Sequence, residues 1–372
     1  MKRLVPILII ALIVAVVVFR NQLIRRTFAP TPTNIVESTP SARAEKEDIE
    51  IIAQNLKVPW EIAFLPDKTM LVTERTGNLL RVDRETHIIQ TIEGVKATGE
   101  GGLLGLAVHP TFGSNHVIYL YLTSQENGKL VNRVERYVLL NNRLSDRMVI
   151  FSGIAGSSLH DGGRIAFGPD GFLYITTGDA TNEKFAQDKQ SLNGKILRIK
   201  DDGSIPSDNP FGSAVYSYGH RNAQGLVWDT QGRLWATEHG PSGLQSGFDE
   251  VNLIEKGKNY GWPVVKGDQT ALGMVSPVIQ SGASDTWAPA GVAFWDGSLF
   301  FGGLRGEALY EAKITGEKLT LSSHFKGRFG RIRAVGLGPD GFLYLSTSNT
   351  DGRGTVQSGD DKIIRLNPTV FR

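Results

Sequence analysis

The sequence predicts an all-β fold, a six-bladed β-propeller preceded by an N-terminal transmembrane or signal segment, and three observations carry that prediction. The stretch Gly168-Pro169-Asp170-Gly171-Phe172-Leu173-Tyr174 returns unchanged as Gly338-Pro339-Asp340-Gly341-Phe342-Leu343-Tyr344. Looser copies of the same turn-plus-strand unit start at Leu65-Pro66-Asp67, His109-Pro110-Thr111-Phe112, Trp228-Asp229-Thr230 and Trp295-Asp296-Gly297. Each is an Asp, Pro or Gly turn leading into an alternating strand, and repeats about 43 to 65 residues apart built of several strands read as propeller blades. The 43 glycines fall in turns between short apolar runs, and helical periodicity is nearly absent, which disfavours doubly wound or barrel folds.

In chain order, Met1-Lys2-Arg3 precedes an apolar run from Leu4 to Phe19, followed by Arg20, Arg25 and Arg26. The run is shorter than the roughly 20 residues that span a bilayer, although Leu23 and Ile24 extend it if the arginines snorkel. No small-x-small cleavage site directly follows the run, and Ala42-Arg43-Ala44, which has that form, lies too far downstream, which favours an uncleaved signal-anchor over a cleaved peptide. We therefore expect a signal or anchor segment at 1–28 and a flexible Pro/Thr/Ser/Glu-rich linker at 29–48. The propeller occupies 49–372, placed outside the cytoplasm in the periplasm or at the cell exterior, with the N-terminal segment as its only membrane contact. The strand Ile49 to Ala53 is expected to pair with the last blade and close the ring, because an open propeller leaves long edges exposed.

Forty Lys+Arg against 38 Asp+Glu give a formal net charge of +2, which provides no field for nucleic acid. The absence of cysteine excludes disulfides and thiolate metal sites.

Propeller loops at one end converge on the central channel, so chemistry is sought where loops break the repeat. Five such loops carry Gly99-Glu100-Gly101-Gly102; Leu159-His160-Asp161-Gly162-Gly163; Gly219-His220-Arg221-Asn222-Ala223; His239-Gly240-Pro241 with Asp249-Glu250; and Gly330-Arg331-Ile332-Arg333. A lone histidine in a glycine-flanked loop is more often structural than catalytic. Arg331 and Arg333 alternate and so share one strand face, offering two planar forks for carboxylates, with solvated strand arginines as the alternative.

With Thr177-Gly178-Asp179 and Asn259-Tyr260-Gly261-Trp262-Pro263 added, the series of motifs, in this order from about Leu56 to Asn367, resembles the soluble pyrroloquinoline quinone (PQQ)-dependent glucose and aldose sugar dehydrogenases. The resemblance implies an enzyme using PQQ and Ca²⁺ that oxidises the anomeric hydroxyl of aldoses to lactones and passes electrons to an external acceptor. It implies His160 as general base, suited by an imidazole pKa near working pH, and Asp179 as its orienting carboxylate, the alternative being a turn aspartate capping amides. Arg221 and Asn222 would lie at the quinone oxygens, and Arg331 and Arg333 at the cofactor carboxylates. Arg305 stands where the family has a lysine, and Trp287 offers an aromatic wall, a buried structural tryptophan being the alternative. The Gly240 and Pro241 carbonyls correspond to ligands of the calcium beside the cofactor, and Glu250 with the Tyr260 carbonyl to a second calcium site. Glu100 departs from the pattern: relatives commonly carry Gln near the cofactor, and a carboxylate there must be protonated, paired or turned away. Two other classes stay open: a calcium-dependent lactonase on the same fold, which would need several acidic or amide side chains around one metal, and a non-catalytic binding propeller.

Overall fold

The computed structural model describes residues 36–37, 48–83, 85–243 and 246–372. The segment expected at 1–28 and most of the 29–48 linker lie outside the described residues. Among the described residues, no helix is long and apolar enough to cross a membrane.

Six antiparallel sheets follow one another along the chain, as the repeats predict. Blade 1 contains Pro59–Phe64, Met70–Glu74, Asn78–Val82 and Thr86–Thr91, and blade 2 Leu103–Val108, Val117–Glu126, Lys129–Leu140 and Arg143–Ala155. Blade 3 contains Ile165–Phe167, Leu173–Thr177, Lys195–Ile199 and Val215–Tyr218, and blade 4 Ala223–Trp228, Leu234–Glu238, Glu250–Ile254 and Ile279–Gln280. Blade 5 contains Pro289–Trp295, Ser298–Gly303, Leu309–Thr315 and Lys318–His324, and blade 6 Ile332–Leu337, Leu343–Thr347 and Ile363–Leu366. The first strand of each blade touches the first strand of the next, and that of blade 6 touches that of blade 1, so the ring is closed.

Closure is made by the strand expected to make it. Ile49–Ala53 pairs antiparallel with Ile363–Leu366, Ile49 opposite Leu366 and Glu50 opposite Arg365, and becomes the fourth strand of blade 6. Two residues of the expected linker, Val36–Glu37, pair in parallel with Ser322 and Ser323 at the outer edge of blade 5.

The exact repeat is a complete structural unit. Tyr174 donates its hydroxyl hydrogen bond to Asp170 at 2.9 Å and Tyr344 does the same to Asp340 at 3.0 Å. Opposite them, Arg198 and Arg365 reach those same carboxylates and lie over Phe172 and Phe342. A Cβ on Gly168 or Gly338 would stand 2.8 or 2.3 Å from the tyrosine ring, which is why the turn opens with glycine in both copies. Between neighbouring blades run six apolar clusters, such as Leu71 and Leu79 against Leu106 and Ile118, or Ala293 and Phe300 against Ile332 and Leu343. Each fully buried Leu, Ile or Phe contributes roughly 1.5–3 kcal/mol, so the seams hold the ring together.

Within an antiparallel blade the first strand starts at the end where the second finishes and the third begins. Connections between blades therefore emerge on the same end as the second-to-third-strand loops. The five repeat-breaking loops belong to these two kinds, whereas Asn259–Pro263 lies on the long third-to-fourth-strand connection of blade 4.

Candidate active site

His160 lies on the connection from blade 2 to blade 3, in a left-handed backbone conformation with φ of 61°. Its Nδ1 meets Asp179 Oδ1 at 2.8 Å, and Asp179 sits on the second-to-third-strand loop of blade 3. An imidazole that donates from Nδ1 keeps its lone pair on Nε2, so the carboxylate selects the tautomer with a basic nitrogen for an incoming hydroxyl. Asp179 also accepts from the Thr181 amide at 2.8 Å, so its two alternative roles are fulfilled together, and from Trp262 Nε1 at 2.9 Å. Burial raises a carboxyl, but the imidazole, the amide and the indole hold Asp179 below its usual range and ionised. The loop has no spare room: a Cβ on Gly178 would lie 1.8 Å from the His160 carbonyl oxygen.

Arg221 and Asn222 open blade 4 and brace this pair. The Arg221 carbonyl accepts from the Asp179 amide at 2.8 Å, and Asn222 Oδ1 accepts from the Gly162 amide at 3.0 Å. The Arg221 guanidinium lies 5.4 Å from the centre of the Trp262 ring and donates to Ser242 Oγ at 3.0 Å. Its backbone amide is held by Glu238, whose other oxygen takes His220 Nδ1 at 2.8 Å. Trp262, which joins Asp179 to Arg221, was not assigned a role from sequence; the only signal was its place in the Asn259–Pro263 motif.

At blade 6, Arg331 and Arg333 both point inward, but not as two free forks. Arg331 already grips Asp351 Oδ2 from Nε and Nη2 at 3.1 and 2.8 Å, and donates from Nη1 to the Leu304 carbonyl. Arg333 donates to Gln224 Oε1 at 2.7 Å, and its Nε has no protein partner. Burial above all, against the pull of Asp351 and with the charges of Arg331 and Arg75 nearby, presses the Arg333 guanidinium down to about 9. Burial likewise lowers Arg75, Arg221 and Arg305, the last also repelled by Arg331. The floor beneath is buried and polar: Arg164 pairs with Glu61, donates to the Gln224 carbonyl at 2.9 Å, and stacks 4.3 Å from the Trp60 ring.

Trp287 requires a correction. It is 2% exposed, donates Nε1 to Asp285 at 3.1 Å, and packs on Phe301 and Tyr310 in the seam core. Its ring is therefore the buried structural tryptophan and no wall of the pocket, while its carbonyl supports the Arg305 amide at 3.0 Å.

Gly240, Pro241, Glu250 and Tyr260, expected to serve two calcium sites, line one small cavity together with Arg221 and Trp262. The donor set suits a hard cation. A Cβ on Gly240 would lie 2.1 and 2.4 Å from the carbonyl oxygens of Gly247 and Phe248, marking an oxygen-rich cradle. Burial, then Glu238 and Asp249, push the Glu250 carboxyl up to about 8, an excess of buried negative charge that a divalent ion would relieve. The Tyr260 ring is occupied, stacked 4.7 Å from His220 with its hydroxyl on the Leu253 carbonyl, which leaves its backbone as the ligand expected of it. Among the described residues, no group of three or more His, Cys, Asp or Glu side chains is arranged to hold a metal.

The residues also suit a polyanion. Arg221 and Arg333 are buried cations and Arg75 and Arg305 half-buried ones, and the buried atoms without a protein partner include the donors Arg333 Nε, Arg164 Nη2 and Asn222 Nδ2 as well as the acceptor Asp161 Oδ2.

Fold and site together define a propeller whose axial pocket sets an oriented imidazole beside buried arginines. Residues 56–364 match the glucose/sorbosone dehydrogenase family, and the chain belongs to that family. It is 34% identical over 368 residues to aldose sugar dehydrogenase YliI of Escherichia coli, a match covering 88% of this chain and 97% of that one. It is 36% identical over 275 residues to quinoprotein glucose dehydrogenase B of Acinetobacter calcoaceticus, covering 62% of this chain and 56% of that one. Among solved structures, the PQQ-bound aldose sugar dehydrogenase of Streptomyces coelicolor is 40% identical with a TM-score of 0.80, covering 86% of this chain and 97% of that one.

Proposed function

We propose that this protein is a PQQ- and Ca²⁺-dependent dehydrogenase that oxidises the anomeric hydroxyl of aldoses to lactones and gives up the electrons to an external acceptor. The observation that carries the reading is the His160–Asp179 pair on the same end of the propeller as the buried Arg221 and Arg333, the latter with an Nε that has no protein partner. His160 Nε2 takes the proton of the sugar hydroxyl, and Asp179 keeps the ring oriented and stabilises the imidazolium that results. The two-electron oxidant would be supplied by PQQ when bound, an ortho-quinone able to take the anomeric hydrogen as hydride. Arg221 and Asn222 would hold the quinone oxygens, where fixed donors favour developing negative charge. Arg331, Arg333 and Arg305 would hold carboxylates of the cofactor; Gly240 and Pro241, with Glu250 and Tyr260, would hold calcium. The lactonase alternative calls for clustered acidic or amide ligands, and the carbonyl-rich cavity supports it less well.

The basic-flanked apolar N-terminal run supports an extracytoplasmic site of action, with residues 1–28 as anchor and the propeller as the catalytic domain. Reconstitution of the purified protein with PQQ and Ca²⁺, followed by aldose titration, should bleach the absorbance of the oxidised cofactor and yield lactone. Chelation of Ca²⁺ before PQQ is added should abolish the response. No spectral change with a panel of aldoses, in a protein shown to bind the cofactor, would refute the assignment.

A further inference from the structure

Glu100 lies on the connection between blades 1 and 2 and is tied to the His160 loop at two points. Its amide donates to the Ser158 carbonyl at 2.9 Å, and its Oε2 accepts from the His160 amide at 3.0 Å. The other carboxylate oxygen takes Arg353 Nη1 at 2.7 Å, from the second-to-third-strand loop of blade 6. The Arg353 backbone amide in turn donates to Asp351 Oδ1 at 2.9 Å, the carboxylate whose other oxygen grips Arg331. A continuous polar chain thus runs from the histidine to the arginine expected to hold a cofactor carboxylate. Arg75, His239 and Asp161 also lie within electrostatic reach of Glu100.

We infer that Arg353 is the compensating partner of Glu100. It neutralises a carboxylate that would repel an anionic cofactor, and so lets that carboxylate hold the backbone of His160 in its left-handed conformation. The inference rests on the proposed function and extends it. Charge and countercharge come as a pair. His239 is no substitute partner in geometry, because its buried Nε2 makes no hydrogen bond to Glu100 or to any other protein group. Both Glu100 and Arg353 are positioning residues: one acts through the His160 backbone, the other through Glu100.

The test is a double-mutant cycle with Arg353→Gln, Glu100→Gln and the double variant, read as PQQ affinity in the presence of Ca²⁺ by quenching of tryptophan fluorescence, without turnover. Arg353→Gln should weaken binding at least about tenfold, a factor worth ~1.4 kcal/mol, whereas Glu100→Gln should bind no more weakly than wild type. The double variant should return to within about threefold of wild type, since the uncompensated charge is gone. Unchanged binding by Arg353→Gln, or a double variant as weak as Arg353→Gln alone, would overturn the inference; the second result would make Arg353 a direct cofactor ligand. Should wild type itself not bind PQQ, the proposed function falls separately. The same four proteins then report by urea unfolding without cofactor, where a destabilised Arg353→Gln that Glu100→Gln restores supports the pair and additive effects refute it.

Discussion

Replacing Asp179 by Asn changes little in size and removes one charge at the point on which the base depends. The carboxylate accepts from three donors: His160 Nδ1, the Thr181 amide and the indole of Trp262. An amide offers one oxygen and one NH₂ group, so at least one donor faces another donor. If the imidazole is that donor, its proton shifts to Nε2 and the basic lone pair turns away from the substrate. General-base catalysis is worth about 10²- to 10⁴-fold, so Asp179→Asn should lower the rate of cofactor reduction about 10²- to 10³-fold, or about 2.7–4 kcal/mol of barrier. Cofactor affinity should move less than about threefold, since the carboxylate reaches the cofactor only through other residues. Stopped-flow reduction by saturating aldose, at several pH values, measures the first quantity and fluorescence titration the second. A rate within threefold of wild type would refute the orienting role. A loss of binding as large as the loss of rate would show instead that Asp179 shapes the pocket as a whole.

His160→Ala should bind PQQ nearly as wild type and lose turnover about 10²- to 10⁴-fold, while Arg331→Ala should weaken PQQ binding; the reverse pattern in equilibrium titration and single-turnover kinetics would exchange their roles. Lys195 is buried and donates from Nζ to the carbonyls of Phe185, Ala186 and Asn193, so Lys195→Met should cost about 2–4 kcal/mol in urea unfolding by stranding those acceptors beneath the loop that carries Asp179. Glu100 has an ordinary pKa of 4.5 and is brought down to about 2: burial opposes this, but Arg353, the nearby His239 and the His160 amide outweigh it. A depressed folded-state pKa gives stability that is fully present above the ordinary value and lost as pH falls through the folded one. The stability advantage of wild type over Glu100→Gln should therefore shrink between about pH 4.5 and 2, and a constant difference across that range in acid titrations of unfolding would contradict the pairing.

The fold was legible because its unit is local. The Asp–Tyr–Arg–Phe cluster of blades 3 and 6 is written within some thirty residues each time. Ile49–Ala53 was legible for a different reason: a ring with a missing outer strand leaves an edge, and this was the strand left over. His160 and Asp179 flank one short strand pair, and their meeting follows from it. Trp262 meets Asp179 across 83 residues and Arg353 meets Glu100 across 253, through loops whose paths no periodicity encodes. For Trp287, a ring beside a proline reads the same for a core seam and for a pocket wall, and only the neighbours Phe301 and Tyr310 separate the two. Arg331 and Arg333 are both buried, but strand alternation is blind to Asp351 on a loop of the same blade and to Gln224 of blade 4, which occupy their forks.

The buried floor of the channel has a consequence for how such a catalyst must operate. Trp60, Glu61, Gln224 and Arg333 come from the first strands of three blades and Arg164 directly precedes that of blade 3; each is less than a tenth exposed, so this linked floor is closed to solvent. A vessel with one door cannot admit a sugar at one end and discharge electrons at the other. Under the proposed function, sugar, lactone and acceptor must take turns at the same mouth. Kinetics should therefore follow a substituted-enzyme pattern, with parallel lines in double-reciprocal plots and each partner inhibiting when in excess.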